Sequence, residues 1–129
     1  YGHTALMFAC GNGHKDVIQF ILNHSNLTTD FNARSQYGST AFMFACGNGH
    51  KDVVQLLIIC SEIELNAQDY NGMTAFMFAC LEGHKDVVQL LLDCPEIQLH
   101  IRYKDGNTAF GLACSQGHND IVQLFLNAP

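Results

Sequence analysis

The segment TAFMFACGNGHKDVVQLL occupies residues 40–57 and recurs at residues 74–91 with two changes. Related segments begin at Thr4 and Thr108, so successive copies start 36, 34 and 34 residues apart. A period of this length is typical of solenoids, in which each repeat stacks on its neighbours. We therefore predict one domain, residues 1–129, with repeats at about 1–34, 35–68, 69–102 and 103–129, and with two extra residues in the first repeat's loop at 25–30.

The first half of each repeat is predicted to be a buried helix. In the second repeat this helix covers residues 40–46, where only apolar side chains follow Thr40. A helix that is apolar all round must be covered on every side, by its partner helix and by neighbouring repeats. Thr40 is placed to cap its N-terminus, and the sequence Gly47-Asn48-Gly49 ends it.

The second half of each repeat is predicted to be an amphipathic helix, at about residues 50–59 in the second repeat. At about 100° per residue, its polar side chains fall in one sector and its apolar side chains fill the rest. The polar sector holds Lys51, Asp52 and Gln55, and the apolar sector holds Val53, Val54, Leu56, Leu57 and Ile58. Asp52 lies in the first turn, where the helix dipole favours an anion. Because neither helix is long enough to be stable alone, stacking must stabilise both.

These motifs resemble the ankyrin repeat. G-x-T-A-[LF] and A-C-x-x-G-H-x-D-[VI]-[VI] recur in register in all four copies, and L-N-A-x-D-x-x-G follows the second copy. The resemblance covers the whole chain. It implies an all-α solenoid of stacked helix–turn–helix units with β-turn or hairpin tips. It also implies a concave recognition surface formed by the tips and the first helices.

The chain departs from the usual ankyrin pattern at the start of each first helix. Ala follows the Thr where Pro is usual, and His is replaced by Met7, Met43, Met77 and Gly111. We expect these changes to alter the usual Thr–His hydrogen bond and to leave the fold intact.

Composition narrows the class of partner. The chain is 48% hydrophobic and 14% charged, which is ample for a core and unlike a disordered tail. Its formal net charge of −6 with only 6 Lys and Arg argues against nucleic acid, which requires a row of cations. A protein partner with a basic surface suits this charge better. No apolar run approaches the ~20 residues of a membrane span, so we expect no membrane insertion.

Each repeat carries a Cys-x-x-x-His pair: Cys10/His14, Cys46/His50, Cys80/His84 and Cys114/His118. Thiolate and imidazole groups are zinc ligands, and a closed site requires four of them. Because a Gly separates the members of each pair and breaks the helix, each repeat offers only two ligands. We therefore predict no metal: the Cys fills a small slot in the core and the His braces the turn through backbone hydrogen bonds.

The cysteines also indicate a cellular compartment. Equivalent residues of stacked helices lie about 8–10 Å apart, farther than the ~7 Å that a disulfide allows between Cα atoms. Six buried, unpaired thiols predict an intracellular, reducing compartment, most simply the cytoplasm. Cys60 and Cys94 lie near the ends of second helices and are expected to be more exposed than the other four.

No set of residues predicts an enzyme or a cofactor site. Catalysis requires a nucleophile, a base and an orienting group at one point, whereas His and Asp recur here in columns along the stack. The sequence Gly11-Asn12-Gly13-His14 lacks the spacing of a phosphate-binding loop. The Met43, Phe44, Met77 and Phe78 column is interpreted as core packing.

Candidate binding residues are those that vary between repeats, because positions without a folding role are free to recognise a partner. By the resemblance they lie at the turn tips and the ends of the first helices. They are Tyr37, Ser39, Gly47, Asn48, Tyr70, Asn71, Met73, Leu81, Glu82, Lys104, Asp105, Asn107, Ser115 and Gln116. Tyr37, Tyr70 and Met73 are the best anchors, since interfaces favour Tyr and Met. The alternative function is a passive structural spacer within a larger multidomain protein.

Three further expectations concern the linkers and the C-terminal end. The resemblance permits hydroxylation of Asn32 and Asn66 by an asparaginyl hydroxylase, whereas their chemistry alone predicts side-chain–backbone bonds within the turn. Phe125 is expected to be unprotected in the last helix. We therefore expect the chain to be a monomeric piece of a longer array.

Overall fold

The computed structural model describes residues 4–24 and 29–128. Within them eight α-helices alternate between a first and a second helix of each repeat. The first helices are α1 (Ala5–Gly11), α3 (Ala41–Gly47), α5 (Ala75–Glu82) and α7 (Ala109–Ser115). The second helices are α2 (Lys15–Asn23), α4 (Lys51–Ile58), α6 (Lys85–Leu92) and α8 (Asn119–Asn127). The predicted loop insertion falls mostly on residues 25–28, outside the described residues.

The helices pack in two rows. First helices contact one another in the order α1, α3, α5, α7, second helices in the order α2, α4, α6, α8, and each first helix packs on its own second helix. Turns rather than β-strands join the repeats in the described parts of the chain. The predicted all-α solenoid of helix–turn–helix units is confirmed. None of the eight helices is long and apolar enough to cross a membrane.

The amphipathic character of the second helix is also confirmed. In α4 the side chains of Lys51, Asp52 and Gln55 are exposed, and those of Val53, Val54 and Leu57 are buried. Burying these three aliphatic side chains against the first helices contributes about 1.5–3 kcal/mol each relative to leaving them in water.

A threonine caps the first helix of each repeat. Thr40 Oγ1 accepts a hydrogen bond from the backbone N–H of Met43 at 3.3 Å, and Met43 Sδ accepts one from the Thr40 N–H at 3.5 Å. Thr4 and Met7 form the same pair of bonds. The thioether is a weak acceptor, but it accepts the hydrogen bond of the Thr40 N–H in place of a histidine side chain. The cap is therefore kept without a histidine.

The fourth repeat closes its cap through a different residue. Gly111 has no side chain, and the Asn107 carboxamide occupies the space that a Cβ at Gly111 would enter. Asn107 Oδ1 accepts a hydrogen bond from the Thr108 N–H at 3.0 Å. Asn107 was predicted to contact a partner, but this half-buried side chain has a structural role.

The histidines connect successive repeats. The Nε2–H groups of His50, His84 and His118 donate to the carbonyl oxygens of Gly11, Gly47 and Leu81 at 2.7, 2.8 and 2.9 Å. The predicted backbone bond exists, but each histidine bonds to the end of the preceding repeat's first helix instead of its own turn. The reason is that stacking places each imidazole over the preceding repeat's turn glycine.

The expectation for the thiols is wrong at Cys114. Cys10, Cys46 and Cys80 are buried and Cys60 and Cys94 are more exposed than these three, as expected, but Cys114 is exposed although it was expected to be among the less exposed thiols. Cys114 occupies the same place in α7 as the buried cysteines do in α1, α3 and α5. No described helix packs beyond α7, so nothing described covers it. Burial raises the pKa of Cys10 and of Cys80 to about 12 and that of Cys46 well above its usual value.

Phe125 is not the unprotected residue that the sequence suggested. Its ring lies 5.7 Å from that of Phe76 and 5.2 Å, edge-to-face, from that of Phe110, measured between centroids. Phe110 corresponds to Phe42 and Phe76, which are 1% and 2% exposed, but it is itself 37% exposed. Phe125 of α8 therefore covers part of the Phe110 ring of α7.

Candidate functional site

Turn tips and first helices border two adjoining cavities of about 340 and 410 Å³, and the ring of Phe78 lines both. We call the surface that they form the inner groove. The first cavity is lined by Ser39, Met43, Phe44, Gly47, Asn48, Phe78 and Glu82. The second is lined by Asp69, Asn71, Met73, Phe78, Leu81, Tyr103, Lys104, Asp105 and Leu112. Nine of the fourteen sequence-predicted binding residues are in these two sets.

The aromatic rings of the inner groove were not predicted as binding residues. Phe44 and Phe78 are only half-buried, and Phe8, at the same position of α1, is 59% exposed. Phe44 and Phe78 do pack against the buried core, as predicted, but both also line the groove. The neighbouring Met43 and Met77 are buried as predicted. A helix that is apolar all round gives no sequence signal for which side a partner helix leaves open. Only the packing of the rows reveals that side.

The first cavity lies between the second and third repeats. A Cβ at Gly47 would lie 3.4 Å from Phe78 Cβ, an ordinary van der Waals contact, so the fold does not require a glycine at this position. Glu82 supplies the only charge among its lining residues. Asn48 has a structural bond as well, because its Nδ2 donates to the Gly11 carbonyl at 2.9 Å. This position is therefore less free of a folding role than the sequence suggested.

The second cavity lies between the third and fourth repeats, with Asn71, Leu81, Lys104 and Asp105 on its walls. Met73 also borders it but is only 7% exposed, so its side chain packs in the core. Met73 was predicted to be an exposed anchor, and this burial leaves little of it for a partner to contact. The residue belongs to the buried core cluster, whereas the equivalent Ser39 and Asn107 are half-buried.

The tyrosines at the turn tips remain exposed, and the backbone holds them in register. Tyr37 is 66% exposed and Tyr70 is 72% exposed. The Tyr70 N–H donates to the Tyr37 carbonyl at 3.1 Å, and a Cβ at Gly38 would lie 2.7 Å from the Tyr70 ring. The ring of Tyr70 thus rests on the tip before it, with most of its surface still in water.

Of the five predicted residues outside both cavities, two lie at the end of α7. Ser115 and Gln116 are exposed, and Ser115 Oγ donates to the Leu112 carbonyl at 3.1 Å. They occupy the positions of Gly47 and Asn48 in the fourth repeat, but no described repeat follows to form a third cavity beside them.

Carboxylates outnumber cations on the inner groove. Asp69, Glu82 and Asp105 carry three negative charges, and Lys104 carries the one positive charge among the lining residues. Asp69 also holds its own tip, since its Oδ1 accepts from the N–H groups of Asn71 and Met73 at 2.9 Å each. The groove therefore combines apolar rings with a net negative rim.

The family follows from comparison with known proteins. A family model described as ankyrin repeats, in three copies, matches residues 1–69, 26–104 and 62–129, which together span the chain. The chain belongs to the ankyrin-repeat family. Ankyrin repeats are generally protein–protein interaction modules and typically have no enzymatic activity. No curated protein matches the chain.

The ankyrin linkers contain the two asparagines singled out for hydroxylation. Asn32 Nδ2 donates to the Glu62 carbonyl at 2.7 Å and Asn32 Oδ1 accepts from the Glu64 N–H at 2.9 Å. Asn66 makes the same two bonds to Glu96 and Gln98. Both amides bridge to the next repeat instead of closing their own turn.

Hydrogen bonds within the ankyrin stack account for its buried polar side chains. Each buried side-chain nitrogen or oxygen of the described residues has a hydrogen-bond partner. Over the same residues, no group of three or more His, Cys, Asp and Glu side chains is arranged to hold a metal ion.

Proposed function

We propose that this ankyrin stack binds a segment of another protein in the inner groove. One observation carries the proposal. Residues 40–57 and 74–91 are identical except that Gly47 and Asn48 become Leu81 and Glu82, and all four of these residues line the groove. A surface that served only to fold the repeat would not need to differ here. The differences give each cavity its own shape and charge.

The chemistry of the groove indicates the chemistry of the partner. The half-buried rings of Phe44 and Phe78 suit an apolar side chain, which would gain about 25 cal/mol for each Å² of apolar surface removed from water. The carboxylates of Glu82, Asp69 and Asp105 suit a Lys or Arg beside it. Charge complementarity of this kind raises the association rate and selects the partner.

Tyr37 and Tyr70 extend the proposed site along the turn tips. Tyrosine offers a large, rigid contact surface with a polar end, and interfaces concentrate binding energy in such residues. Because the Tyr70 ring already rests on Gly38, little side-chain freedom is lost when a partner covers it.

The same surface distinguishes binding from a passive spacer. A spacer requires only that the repeats stack. The bonds of His50, His84 and His118 between repeats support this stacking, and they do not involve the inner groove. Nothing in such a role uses exposed tyrosines or a cavity bordered by Glu82. We therefore favour binding over the spacer, and over catalysis.

We also propose that the chain works in a reducing, intracellular compartment such as the cytoplasm. All six cysteines are free, and those at 10, 46 and 80 are buried. An exposed thiol such as Cys114 persists most readily where disulfides are kept reduced.

Selection from a random peptide library tests the proposed site. Peptides are selected on the immobilised chain, and backbone amide chemical-shift changes on titration map where each enriched peptide binds. We expect shifts to concentrate at Ser39, Asn48, Asn71 and Leu81. If no selected peptide maps to the inner groove, the proposal is wrong and the spacer is favoured.

A further inference from the structure

Ile59 is an exposed apolar residue at the end of a second helix, at a position where the fold does not require one. Ile59 follows α4 and is 80% exposed, the most exposed large hydrophobic side chain among the described residues. The equivalent residues of the other repeats are Asn23, Asp93 and Asn127, which are exposed as well. Since this position faces water in all four repeats, the fold does not require an isoleucine there.

Ile59 borders an open groove of about 650 Å³ between the ends of α4 and α6, larger than either inner cavity. We call it the outer groove; it shares no lining residue with the inner groove. Most of its wall is apolar and partly exposed, from Leu56, Ile58, Ile59, Leu90, Cys94 and Pro95. An isolated apolar residue on a surface is ordinary, but a contiguous apolar patch marks an interaction site.

The rest of the outer groove is acidic. Asp93 and Glu96 line it, and none of its described lining residues is a cation. The donors that hold these carboxylates are neutral: Gln89 Nε2 bonds to Asp93 Oδ1 at 3.1 Å, and the Cys94 thiol bonds to Glu96 Oε1 at 3.2 Å. The two negative charges are therefore left for an incoming group to neutralise.

A second copy of this chain is a poor occupant of the outer groove. Packing the patch on itself would bring the Asp93 and Glu96 carboxylates of both copies together. Each copy also carries a formal net charge of −6. Like charges brought together in an interface disfavour association. A cationic segment avoids this repulsion.

We propose that the outer groove is a second docking site, for a segment of another protein that carries both apolar and cationic side chains. An apolar side chain packs against Ile59 between α4 and α6, and a Lys or Arg bonds to Asp93 and Glu96. Because the two grooves are separate, occupancy of one leaves the other open.

The test selects ligands that depend on Ile59. A random peptide library is panned on the chain in the presence of excess soluble Ile59→Asn variant, which removes every peptide that binds elsewhere. Asparagine is already resident at positions 23 and 127, so the variant should keep the urea midpoint of the parent. We expect enriched peptides that combine apolar residues with Lys or Arg. Their affinity should fall at least tenfold on Ile59→Asn.

Charge variants complete the test. Asp93→Asn with Glu96→Gln should weaken the same peptides several-fold, and added salt should do so too, whereas Glu82→Gln in the inner groove should leave their affinity unchanged. The proposal is overturned if no Ile59-dependent peptide is enriched, or if those enriched lack cations and ignore the charge variants. It is also overturned if sedimentation shows a parent dimer that Ile59→Asn dissociates, since the occupant would then be a second copy. None of these outcomes depends on the inner groove.

Discussion

The imidazole of His84 lies directly over Gly49 of the preceding repeat, and a Cβ at Gly49 would come within 2.5 Å of its Nδ1 atom. The same ring donates from Nε2 to the Gly47 carbonyl at 2.8 Å. Gly49 therefore serves two purposes: it has a left-handed φ of 74°, and it leaves room for the ring that joins the repeats.

A matched pair of glycine variants separates these two purposes. Gly117 has nearly the same φ, 71°, but a Cβ there meets no described atom within 4 Å beyond its chain neighbours. Gly117→Ala should cost about 1–2 kcal/mol for the backbone conformation alone. Gly49→Ala should cost about 1–3 kcal/mol more, because the methyl group displaces His84. Urea melts of both variants measure the difference. Equal losses would mean that the ring does not pack on the glycine.

Two phenylalanines at equivalent positions of different repeats test how far stacking buries the first helices. Phe42 is 1% exposed under the next repeat, and Phe110, its equivalent in the last described repeat, is 37% exposed. Phe42→Ala should cost about 3–5 kcal/mol in the free energy of unfolding. Phe110→Ala should cost clearly less, and Gln55→Ala on the exposed face of α4 should stay within about 0.5 kcal/mol. Similar losses for the two phenylalanines would contradict the described order of burial.

Asn107 and Gly111 should be energetically coupled. Alanine is favoured over glycine in a helix by about 1 kcal/mol, but in the parent a Cβ at Gly111 must displace the Asn107 carboxamide from the Thr108 N–H. Gly111→Ala should therefore gain little alone and about 1 kcal/mol in an Asn107→Ala background. A double-mutant cycle in urea measures the coupling. Additive effects within about 0.3 kcal/mol would show that Asn107 does not fill this space.

The repeat pattern was sufficient to predict the architecture. In each repeat a threonine starts the first helix, a glycine breaks the chain, and a polar sector marks the exposed face of the second helix. The helices of the second repeat begin and end within one residue of the prediction. These signals are local. The partners of the bonds between repeats were not predictable, because His84 and Asn66 bond to residues 37 and 30 positions away, in a neighbouring repeat.

The candidate site was predicted only in part, for the same reason. Comparing repeats located Leu81 and Glu82, since variation is visible in sequence. It passed over Phe44 and Phe78, because the same Phe stands in the first three repeats and an apolar Leu112 in the fourth, as is typical of a core position. Exposure of such an apolar residue depends on which side of a helix its neighbours leave uncovered, and burial of Met73 depends on the same packing.

The thiols should differ sharply in reactivity. Iodoacetamide at pH 8 should label Cys114 and Cys60 in the folded chain and leave Cys10, Cys46 and Cys80 unmodified until urea unfolds it, because burial keeps those three protonated and inaccessible. Partial burial, then the bond to Glu96, raises the pKa of Cys94. The pH at which labelling of Cys94 becomes fast should therefore be higher in the folded chain than in urea. Peptide mass spectrometry reports each site. Early labelling of Cys46 would contradict the described core.

The affinity of a peptide that maps to the inner groove, measured against three forms of the chain, tests the binding proposal most directly. Leu81→Gly with Glu82→Asn makes the third repeat copy the second, at a stability cost of about 1 kcal/mol. This change should weaken binding at least tenfold, since it removes an apolar wall and a charge together. The control, Lys51→Glu on the exposed face of α4, should bind like the parent. If the double variant instead binds like the parent while Lys51→Glu abolishes binding, recognition belongs to the second helices and the inner-groove account is wrong.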